Sequence, residues 1–391
     1  MRKLLLLGGG HAHLFVLKRL AERHNEKLQV TLVSPSRWQI YSGMLPGWMA
    51  GHYRLEECRV DLLALAEAAG VRFIASAAPA LDADARTVLL AVGSSLDYDL
   101  LSMDVGSETR RQELTAAGTR LITIKPLAGF IEAWLNILKQ IHACSKYHLL
   151  IAGGGAAGVE LALAARYALR NTGRGVRLTL ASGSSGLLNG HAAGVRKRVS
   201  RILAEAQISV LEQNISGEQG VRGEQDASSE HGASGDQKGV LFEDGTLLPV
   251  DCVIAATGAS APTWLRGSGL QLDDHGFVLV DACHRNPAHP EVFAAGDICA
   301  RTDVEISRSG VHAVRVGPVL ADNLLAASRG EPVKSYQPQR RVLYLLSCGE
   351  RRAVASWDGW SAEGAWVWHW KNRIDRAFIS RFTTTKTGKE K

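Results

Sequence analysis

Two glycine-rich segments contain the residues of this chain whose types and spacing could do chemistry. Gly8–His13 reads GGGHAH and Gly153–Gly158 reads GGGAAG, and each lies between an apolar run and a stretch with helical apolar spacing. In a strand–turn–helix of this kind, glycines let backbone N–H groups and the positive end of the helix approach a pyrophosphate. The two segments therefore predict two phosphate-binding turns.

The second segment fills the pattern completely. Gly153, Gly155 and Gly158 occupy its three glycine positions, and Glu160 follows two residues later. The alternative interpretation is a glycine-rich packing turn that holds no ligand. Because the segment follows a predicted strand and opens a predicted helix, we interpret it as a dinucleotide-binding turn.

The first segment keeps Gly8 and Gly10 but places His13 where the third glycine belongs. A histidine there is expected to hold the helix off the strand or to tilt it. His11 and His13 are a poor pair of metal ligands, since they lie two residues apart on a turn with no carboxylate or cysteine beside them. We predict no metal site, and a structural or cofactor-proximal role for both histidines.

Neither predicted second strand ends in the acidic residue that usually holds the adenosine ribose of a nicotinamide coenzyme. The first strand ends at Ser34 and the second at Ser182. A serine could admit a 2′-phosphate, but in the second unit no arginine lies nearby before Arg196. The choice between NADH and NADPH is therefore open.

Apolar runs between turn signals predict the framework around these turns. Predicted strands are 4–7, 28–33, 148–152, 176–181, 240–242, 247–250, 253–256, 276–280 and 292–295, and predicted helices are 14–22, 159–168 and 313–327. Two βαβ units about 145 residues apart indicate an α/β protein with two doubly wound nucleotide-binding domains. Residues 214–239 are polar and rich in Gly, Ser and Gln, which predicts a disordered surface insertion.

Composition narrows the class of protein. The chain has 391 residues with a net charge of +6, and 46% hydrophobic residues exclude wholesale disorder. No run approaches the roughly 18 apolar residues of a membrane span. The four leucines after Lys3 are too few for a secretory signal. Six cysteines without a CxxC pair favour reduced thiols in a cytoplasmic protein.

Val292–Asp297, together with Ala256–Gly258, resembles the FAD motifs of the pyridine nucleotide–disulfide oxidoreductase superfamily, which includes type II NADH dehydrogenases and sulfide:quinone oxidoreductases. The resemblance covers about residues 1–330. It implies two Rossmann-like three-layer domains, for FAD and NAD(P), with Asp297 accepting hydrogen bonds from the flavin ribityl chain. The helix after this motif would direct its N-terminus at the flavin.

A narrower match involves Gly8–His13, Tyr41–Gly47, Ala313–Pro318 and the tail Trp360–Phe382. These segments look like the flavoprotein module often fused to selenide, water dikinase (selenophosphate synthetase). This resemblance implies a link to selenium metabolism. It also implies an alternative to an enzyme, namely a flavin-binding accessory module that docks on selenophosphate synthetase with little turnover of its own.

The resemblance implies site residues and domain boundaries by position. The expected FAD-binding residues are Gly8, Gly10, His11, Ser34, Arg37, Pro46, Gly258, Gly296, Asp297 and Gly317, and the expected NAD(P)-binding residues are Gly153, Gly155, Gly158 and Glu160, the last near the nicotinamide. The expected FAD domain comprises 1–115 and 259–330, and the expected NAD(P) domain comprises 116–258. A small α+β unit is expected at 331–391.

The implied reaction is hydride transfer from NADH or NADPH to FAD, followed by electron transfer to an unidentified acceptor, either a quinone or another small molecule. Disulfide reductases need a CxxxxC pair, whereas Cys58 stands alone. Sulfide:quinone oxidoreductases need a cysteine beside the second turn, which here has Ala156 and Ala157. Arg315–Gly317 replaces the quinone-side glutamine of type II NADH dehydrogenases, which puts quinone binding in doubt.

The tail is basic and aromatic, and residues 331–391 carry the whole net charge of +6. Trp366, Trp370, Ile374, Phe378 and Phe382 recur every four residues, which predicts one apolar stripe with basic residues, including Lys371, off it. Three interpretations are open: a helix packed on the flavin domains, peripheral membrane contact through 366–382 at the inner membrane face, or a docking surface for the synthetase. Nucleic-acid binding is not expected.

Overall fold

A computed structural model describes residues 1–23, 27–111, 114, 119–216, 239–308 and 310–383 of the protein. The helices are α1 (His11–Glu22), α2 (Leu45–Met49), α3 (Leu62–Ala68), α4 (Leu127–Ala143), α5 (Ala156–Leu169), α6 (Ala193–Glu205), α7 (Gly310–Arg329) and α8 (Ala365–Ser380).

The strands are short, and ten of the twenty-four described strands form two parallel sheets. They are β1 (Arg2–Leu7), β2 (Leu28–Ser34), β3 (Trp38–Ile40), β4 (Arg59–Asp61), β5 (Arg72–Ala75), β6 (Ala80–Asp82), β7 (Thr87–Leu89), β8 (Ser95–Asp97), β9 (Leu100–Met103), β10 (Glu108–Thr109), β11 (Arg120–Thr123), β12 (Lys146–Ala152), β13 (Gly175–Ala181), β14 (Ser209–Leu211), β15 (Gly239–Leu241), β16 (Leu247–Pro249), β17 (Cys252–Ala255), β18 (Ala259–Ser260), β19 (Val278–Val280), β20 (Val292–Ala294), β21 (Cys299–Arg301), β22 (Leu343–Ser347), β23 (Ala353–Trp357) and β24 (Trp360–Gly364).

Each large sheet has five strands with crossover connections. The first runs β20-β9-β1-β2-β5 and the second runs β11-β17-β12-β13-β14, and all their pairings are parallel. Strand β20 comes from a late part of the chain, so the first sheet is assembled from two segments. This confirms the predicted α/β class with two dinucleotide-binding folds.

The buried strands of each sheet are covered on both faces. In β1, Leu4 and Leu6 pack with α1, α3 and α7, whereas Leu5 and Leu7 pack with the small antiparallel sheet β6–β8 and with β19. This alternation explains why β1 is a continuous apolar run, since successive side chains point to opposite faces. The second sheet has the same plan, with α4, α5 and α6 on one face and the hairpin β15–β16 on the other.

Most of the predicted insertion lies outside the described residues, which exclude 217–238. Its two ends are structured, because Ile215 forms a bridge with Phe242 and Gly239 begins β15. The predicted boundaries 214 and 239 are therefore slightly too wide. The turn at Asp244–Gly245 closes the β15–β16 hairpin as its sequence indicates, with Gly245 at φ +84°.

The C-terminal unit is an antiparallel three-stranded sheet, β22–β23–β24, followed by α8. It contacts elements on both large sheets. On the side of the second sheet, Arg201 of α6 pairs with Glu363, and Arg352 bonds to Glu205 at 2.9 Å. On the side of the first sheet, the Tyr53 hydroxyl donates to Asn372 of α8 at 3.0 Å. The unit therefore spans the boundary between the two sheets.

The predicted single stripe along α8 is wrong. Phe378 and Phe382 are buried against Phe15, whereas the side chains of Trp366 and Ile374 are exposed by 54% and 43%. A four-residue repeat advances about 400° around a helix, so the stripe drifts about 40° at each step and crosses from solvent to core.

Lys371 also departs from the prediction. It is buried in the core-facing arc of α8 and paired with Asp375, rather than lying on a solvated basic face. Among the described residues, no helix has the length and apolarity needed to span a bilayer.

A matched pair of variants tests this orientation of α8. We expect Phe378→Ala to lower the free energy of unfolding by about 3–4 kcal/mol, because it empties a packed aromatic site. Trp366→Ala should change it by no more than about 0.5 kcal/mol, since that side chain faces solvent. Chemical denaturation of both variants measures the difference, and equal losses would contradict the assigned orientation.

Candidate functional site

The first glycine turn connects β1 to α1 at the carboxyl edge of the first sheet. Gly8 has φ +92°, and a Cβ there would overlap the carbonyl of Asp104, which follows β9. The Gly10 N–H donates to the same carbonyl at 3.0 Å. The turn is therefore held tightly against the end of β9, and only glycine fits at position 8.

The side chain of Asp104 lies inside this turn. Its Oδ2 accepts from Ala12 N at 2.7 Å and His13 N at 3.2 Å, and it is 3% exposed. A Cβ on Gly10 would overlap the carboxyl, and one on Gly296 would lie 2.6 Å from Oδ1. Burial raises the pKa of Asp104 to about 7, and the charge of Asp297 adds to this effect. The sequence analysis missed Asp104, although it is the polar residue that ends the apolar strand β9.

His13 fills the position of the missing third glycine. Its Nδ1 lies 2.6 Å from Gly8 O and its Nε2 lies 2.8 Å from the Ser102 hydroxyl. Burial lowers the pKa of His13 to about 4, so the ring is neutral. Nδ1 must then donate to the carbonyl and Nε2 accept from the hydroxyl. His13 thereby ties α1 to both β1 and β9, with both ring nitrogens satisfied.

His11, predicted to contact FAD, begins α1. Its ring meets Tyr41 edge-on at 5.4 Å, and its Nε2 has no partner among the described residues. Burial lowers the pKa of His11 to about 4, with the charge of Asp297 acting in the opposite direction. His11 is thus a neutral group, and its Cε1 would lie 3.9 Å from a Cβ on Gly310 at the start of α7.

Gly296 and Asp297 follow β20 in the adjoining loop. Gly296 has φ +75°, and the Asp297 Oδ2 lies 2.5 Å from Lys125 Nζ, which also donates to the Ser107 hydroxyl at 2.7 Å. Strand β21 follows, and helix α7 begins at Gly310, thirteen residues after Asp297. The structure therefore brings together the first turn, the Gly296–Asp297 motif and the N-terminus of α7.

The second glycine turn has the same strand–turn–helix backbone as the first. No described side chain fills the space at its helix N-terminus, where an anion would bind. Gly153 has φ +128°, and a Cβ there would overlap the carbonyl of Ala256. A Cβ on Gly158 would overlap the carbonyl oxygen of Gly153. At Gly155 a Cβ meets no described atom within 4 Å. Helix α5 has no side-chain cap at its N-terminus. These features fit a pyrophosphate at this position.

A polar cluster contains Glu160 of α5, which interacts through its charge with the buried Lys371–Asp375 pair of α8. Glu160 Oε1 accepts from Ser347 N at 2.8 Å. Lys371 Nζ donates to Asp375 Oδ2 at 2.7 Å and to Gly43 O at 2.6 Å, and the Tyr41 hydroxyl donates to Asp375. The sequence analysis predicted a site role for Glu160 alone. It missed Lys371 and Asp375, because a lysine four residues before an aspartate on a helix usually marks a surface pair.

Desolvation controls the protonation of this cluster. Burial raises the pKa of Glu160 to about 7, while the nearby Lys371 opposes the rise. Burial alone would lower the pKa of Lys371, but the charges of Asp375 and Glu160 outweigh it and the net shift is upward. Burial also raises the pKa of Tyr41, which keeps its hydroxyl protonated. The pKa of Glu160 therefore lies close to neutrality.

The other predicted FAD-binding residues have varied environments. Ser34 ends β2 beside the first turn and bonds locally to Ser36 O. Arg37 forms a two-point ion pair with Asp61, and Pro46 lies in α2, whose Leu45 and Met49 share a core cluster with α5. Gly258 has φ +102° beside Arg110.

Gly317 lies where α7 crosses α1, and a Cβ there would overlap Phe15. This glycine allows the two helices to approach closely. A cavity of about 520 Å³ adjoins Asp297. It is lined by His284, His312 and Tyr336, each with a buried polar atom that lacks a partner among the described residues. No group of His, Cys, Asp or Glu in the described residues could hold a metal ion.

Comparisons with known proteins agree with this geometry. Residues 2–317 match the family model described as pyridine nucleotide-disulphide oxidoreductase. Putidaredoxin reductase CamA of Pseudomonas putida is 31% identical over 227 residues, which is 57% of this chain and 48% of that protein.

Two solved structures share the fold over nearly the whole chain. Sulfide:quinone oxidoreductase of Aquifex aeolicus has a TM-score of 0.76 at 18% identity and covers 98% of this chain and 91% of its own. NDH2 of Plasmodium falciparum in complex with NADH has a TM-score of 0.76 at 14% identity, with 99% and 98% covered. The chain therefore belongs to the pyridine nucleotide-disulphide oxidoreductase family, and its cofactors are FAD and NAD(P)H.

Proposed function

We propose that the protein takes hydride from NADH or NADPH onto FAD and passes the electrons to a quinone or a comparable small acceptor. The observation that carries this proposal is the polar cluster of Glu160, Lys371, Asp375 and Tyr41, in which Lys371 and Asp375 of α8 are buried and Glu160 extends from the helix of the second glycine turn. When bound, FAD supplies the two-electron chemistry. The chain supplies binding, orientation and protons.

Binding of the two dinucleotides is divided between the two turns. The free N–H groups at the start of α5, beside Gly155, suit the pyrophosphate of NAD(P)H. Asp297 offers carboxylate oxygens to the hydroxyls of the ribityl chain, and Lys125 holds that carboxylate in place. The N-terminus of α7 favours negative charge that develops on reduction.

Reduction of a quinone by two electrons consumes two protons, so an acceptor site away from bulk water needs internal proton donors. Glu160 exchanges a proton near neutral pH, and Lys371 lies close enough to affect its charge. Lys371 is bonded to Asp375, which accepts from Tyr41. Hydrogen bonds link Lys371 and Asp375 to the Tyr41–Gly47 loop, and Glu160 of α5 interacts with Lys371 through charge.

The small-acceptor proposal is supported by relatives whose names include a quinone and by this dry polar cluster. The name putidaredoxin reductase points to a protein acceptor for that relative. The link to selenium metabolism, and the alternative of an accessory module on selenophosphate synthetase, stay predictions from the sequence resemblance. The domain boundaries and the individual FAD-binding residues stay predictions as well.

The exposed arc of α8 suits a lipid surface. Trp366 and Trp370 stack at 6.4 Å between ring centroids and lie next to exposed Ile374, with the basic Arg373 and Arg381 on the same arc. Indole rings beside cations favour the interface of an anionic bilayer. We therefore propose that the protein contacts the inner membrane face through this arc, from which a quinone could enter.

Anaerobic mixing tests the hydride step. We expect NADH or NADPH to bleach the oxidised-flavin absorbance of the purified protein. Gly155→Ala should slow this reduction about tenfold or more, because its methyl group enters the free anion position without disturbing the fold. Gly129→Ala, which also faces open space, is the control. A flavin that neither donor reduces would disprove the proposed function.

The pH dependence of quinone reduction tests Glu160. As a proton donor it must be protonated, so the turnover rate should be highest below pH 7 and fall as pH rises through about 7. We expect Glu160→Gln to lower kcat about tenfold or more and to remove this decline, while anaerobic flavin reduction continues. The exposed Glu132→Gln is the control, and an unchanged profile in Glu160→Gln would exclude this role.

Vesicle sedimentation tests the membrane contact. The double variant Trp366→Ser with Trp370→Ser should reduce binding to vesicles of anionic lipid about tenfold or more, because two interfacial anchors are lost. Trp357→Ser, in the β23–β24 hairpin, should bind as the wild type does. Equal binding by all three proteins would show that α8 is not the contact.

A further inference from the structure

The two glycine turns follow the same backbone course but differ in the residue that comes directly after the neighbouring strand. In the first, Gly8 packs on the carbonyl of Asp104, which follows β9; in the second, Gly153 packs on the carbonyl of Ala256, which follows β17. Asp104 and Ala256 are thus structural counterparts. The side chain of Ala256 is a methyl group, whereas that of Asp104 is a carboxyl that reaches the N-terminus of α1.

The Asp104 carboxyl occupies the anion position of the first turn. Its Oδ2 takes the N–H groups of Ala12 and His13, which are donors that a pyrophosphate would use at the start of α1. In the second turn the equivalent space beside Gly155 is free. A pyrophosphate and an ionised Asp104 therefore compete for the same donors and repel each other.

We propose that Asp104 must take up a proton for FAD to bind at the first turn, so that retention of FAD is linked to pH. This inference rests on the proposed assignment of the first turn to FAD. A protonated carboxyl accepts the N–H groups of α1 more weakly, so the pyrophosphate can displace it from those donors, and its O–H can then donate to a phosphate oxygen.

Among the described residues around Asp104, none offers it a free positive charge. From α1, His11 and His13 are both neutral, since burial lowers the pKa of each to about 4. From the loop after β20 and from β21, Asp297 and Cys299 face it, and Asp297 adds negative charge. From α7, burial lowers the pKa of His312, so it too is neutral near pH 7. Lys125 is already paired with Asp297.

The direction of the pH effect follows from these neighbours. Burial raises the pKa of Asp104 to about 7 before FAD binds, and the charge of a pyrophosphate would raise it further. Below about pH 6 the carboxyl is already protonated, so binding needs no further proton there. Above about pH 7 each binding event takes up one proton, and the affinity for FAD falls by up to about tenfold per pH unit.

The test is release of FAD from the diluted holoprotein between pH 6 and 9, followed by the fluorescence that FAD recovers when free. We expect the dissociation constant of the wild type to rise by up to about tenfold per pH unit above pH 7. Asp104→Asn and Asp104→Ala, the second of which copies Ala256, should show no such rise and should hold FAD more tightly at pH 9. Asp99→Asn, just before β9, is the matched control.

Each result of this test either supports or overturns the proposed role of Asp104. Variants that keep the pH dependence of the wild type would overturn the proposal and leave Asp104 as a helix cap. Loss of the dependence in either variant supports it, so a folding failure of one leaves the other as the test. A wild-type protein that binds no FAD at any pH would instead refute the assignment of FAD to the first turn.

Discussion

The shared carboxyl edge of two parallel sheets is the constraint on which the rest of the structure depends. A crossover helix between parallel strands must begin at that edge, so every turn there ends in exposed N–H groups at a helix N-terminus. The glycine turns before α1 and α5 obey this rule. The chemistry of the protein is concentrated where backbone donors cannot be satisfied by the helices themselves.

Desolvation gives these groups unusual protonation states. Asp104 and Glu160 are carboxyls whose pKa is raised to about 7, while the pKa of both histidines of the first turn is lowered to about 4. The site therefore contains neutral histidines and two acids that exchange protons near physiological pH. Such values arise because burial penalises the charged form, and only Glu160 has a cation close enough to moderate the shift.

Much of the framework could be predicted from the sequence because local rules determine it. The glycine-rich segments, the apolar runs and the Gly296–Asp297 motif were sufficient to predict the fold class and both turns. Residue-level roles that depend on tertiary contacts could not be predicted. Asp104 came near the turn only through pairing of β9 with β1, and Lys371 became buried because α8 packs over the Tyr41–Gly47 loop. The four-residue aromatic repeat gave a wrong prediction because an α-helix has 3.6 residues per turn. Residues spaced four apart therefore point in gradually changing directions around the helix.

The difference between the two halves matches the different tasks of their ligands. A coenzyme that enters and leaves with every turnover needs an anion position that is open and costs little to occupy, as at Gly155. A resident cofactor has no such requirement, and its site can hold an internal anion that fills the donors before loading. Asp104 satisfies the N–H groups of α1 that would otherwise be buried without a partner, which stabilises the turn in the absence of ligand. The same carboxyl must take up a proton before FAD can bind. The stability of the empty turn and the pH dependence of FAD binding therefore both arise from Asp104.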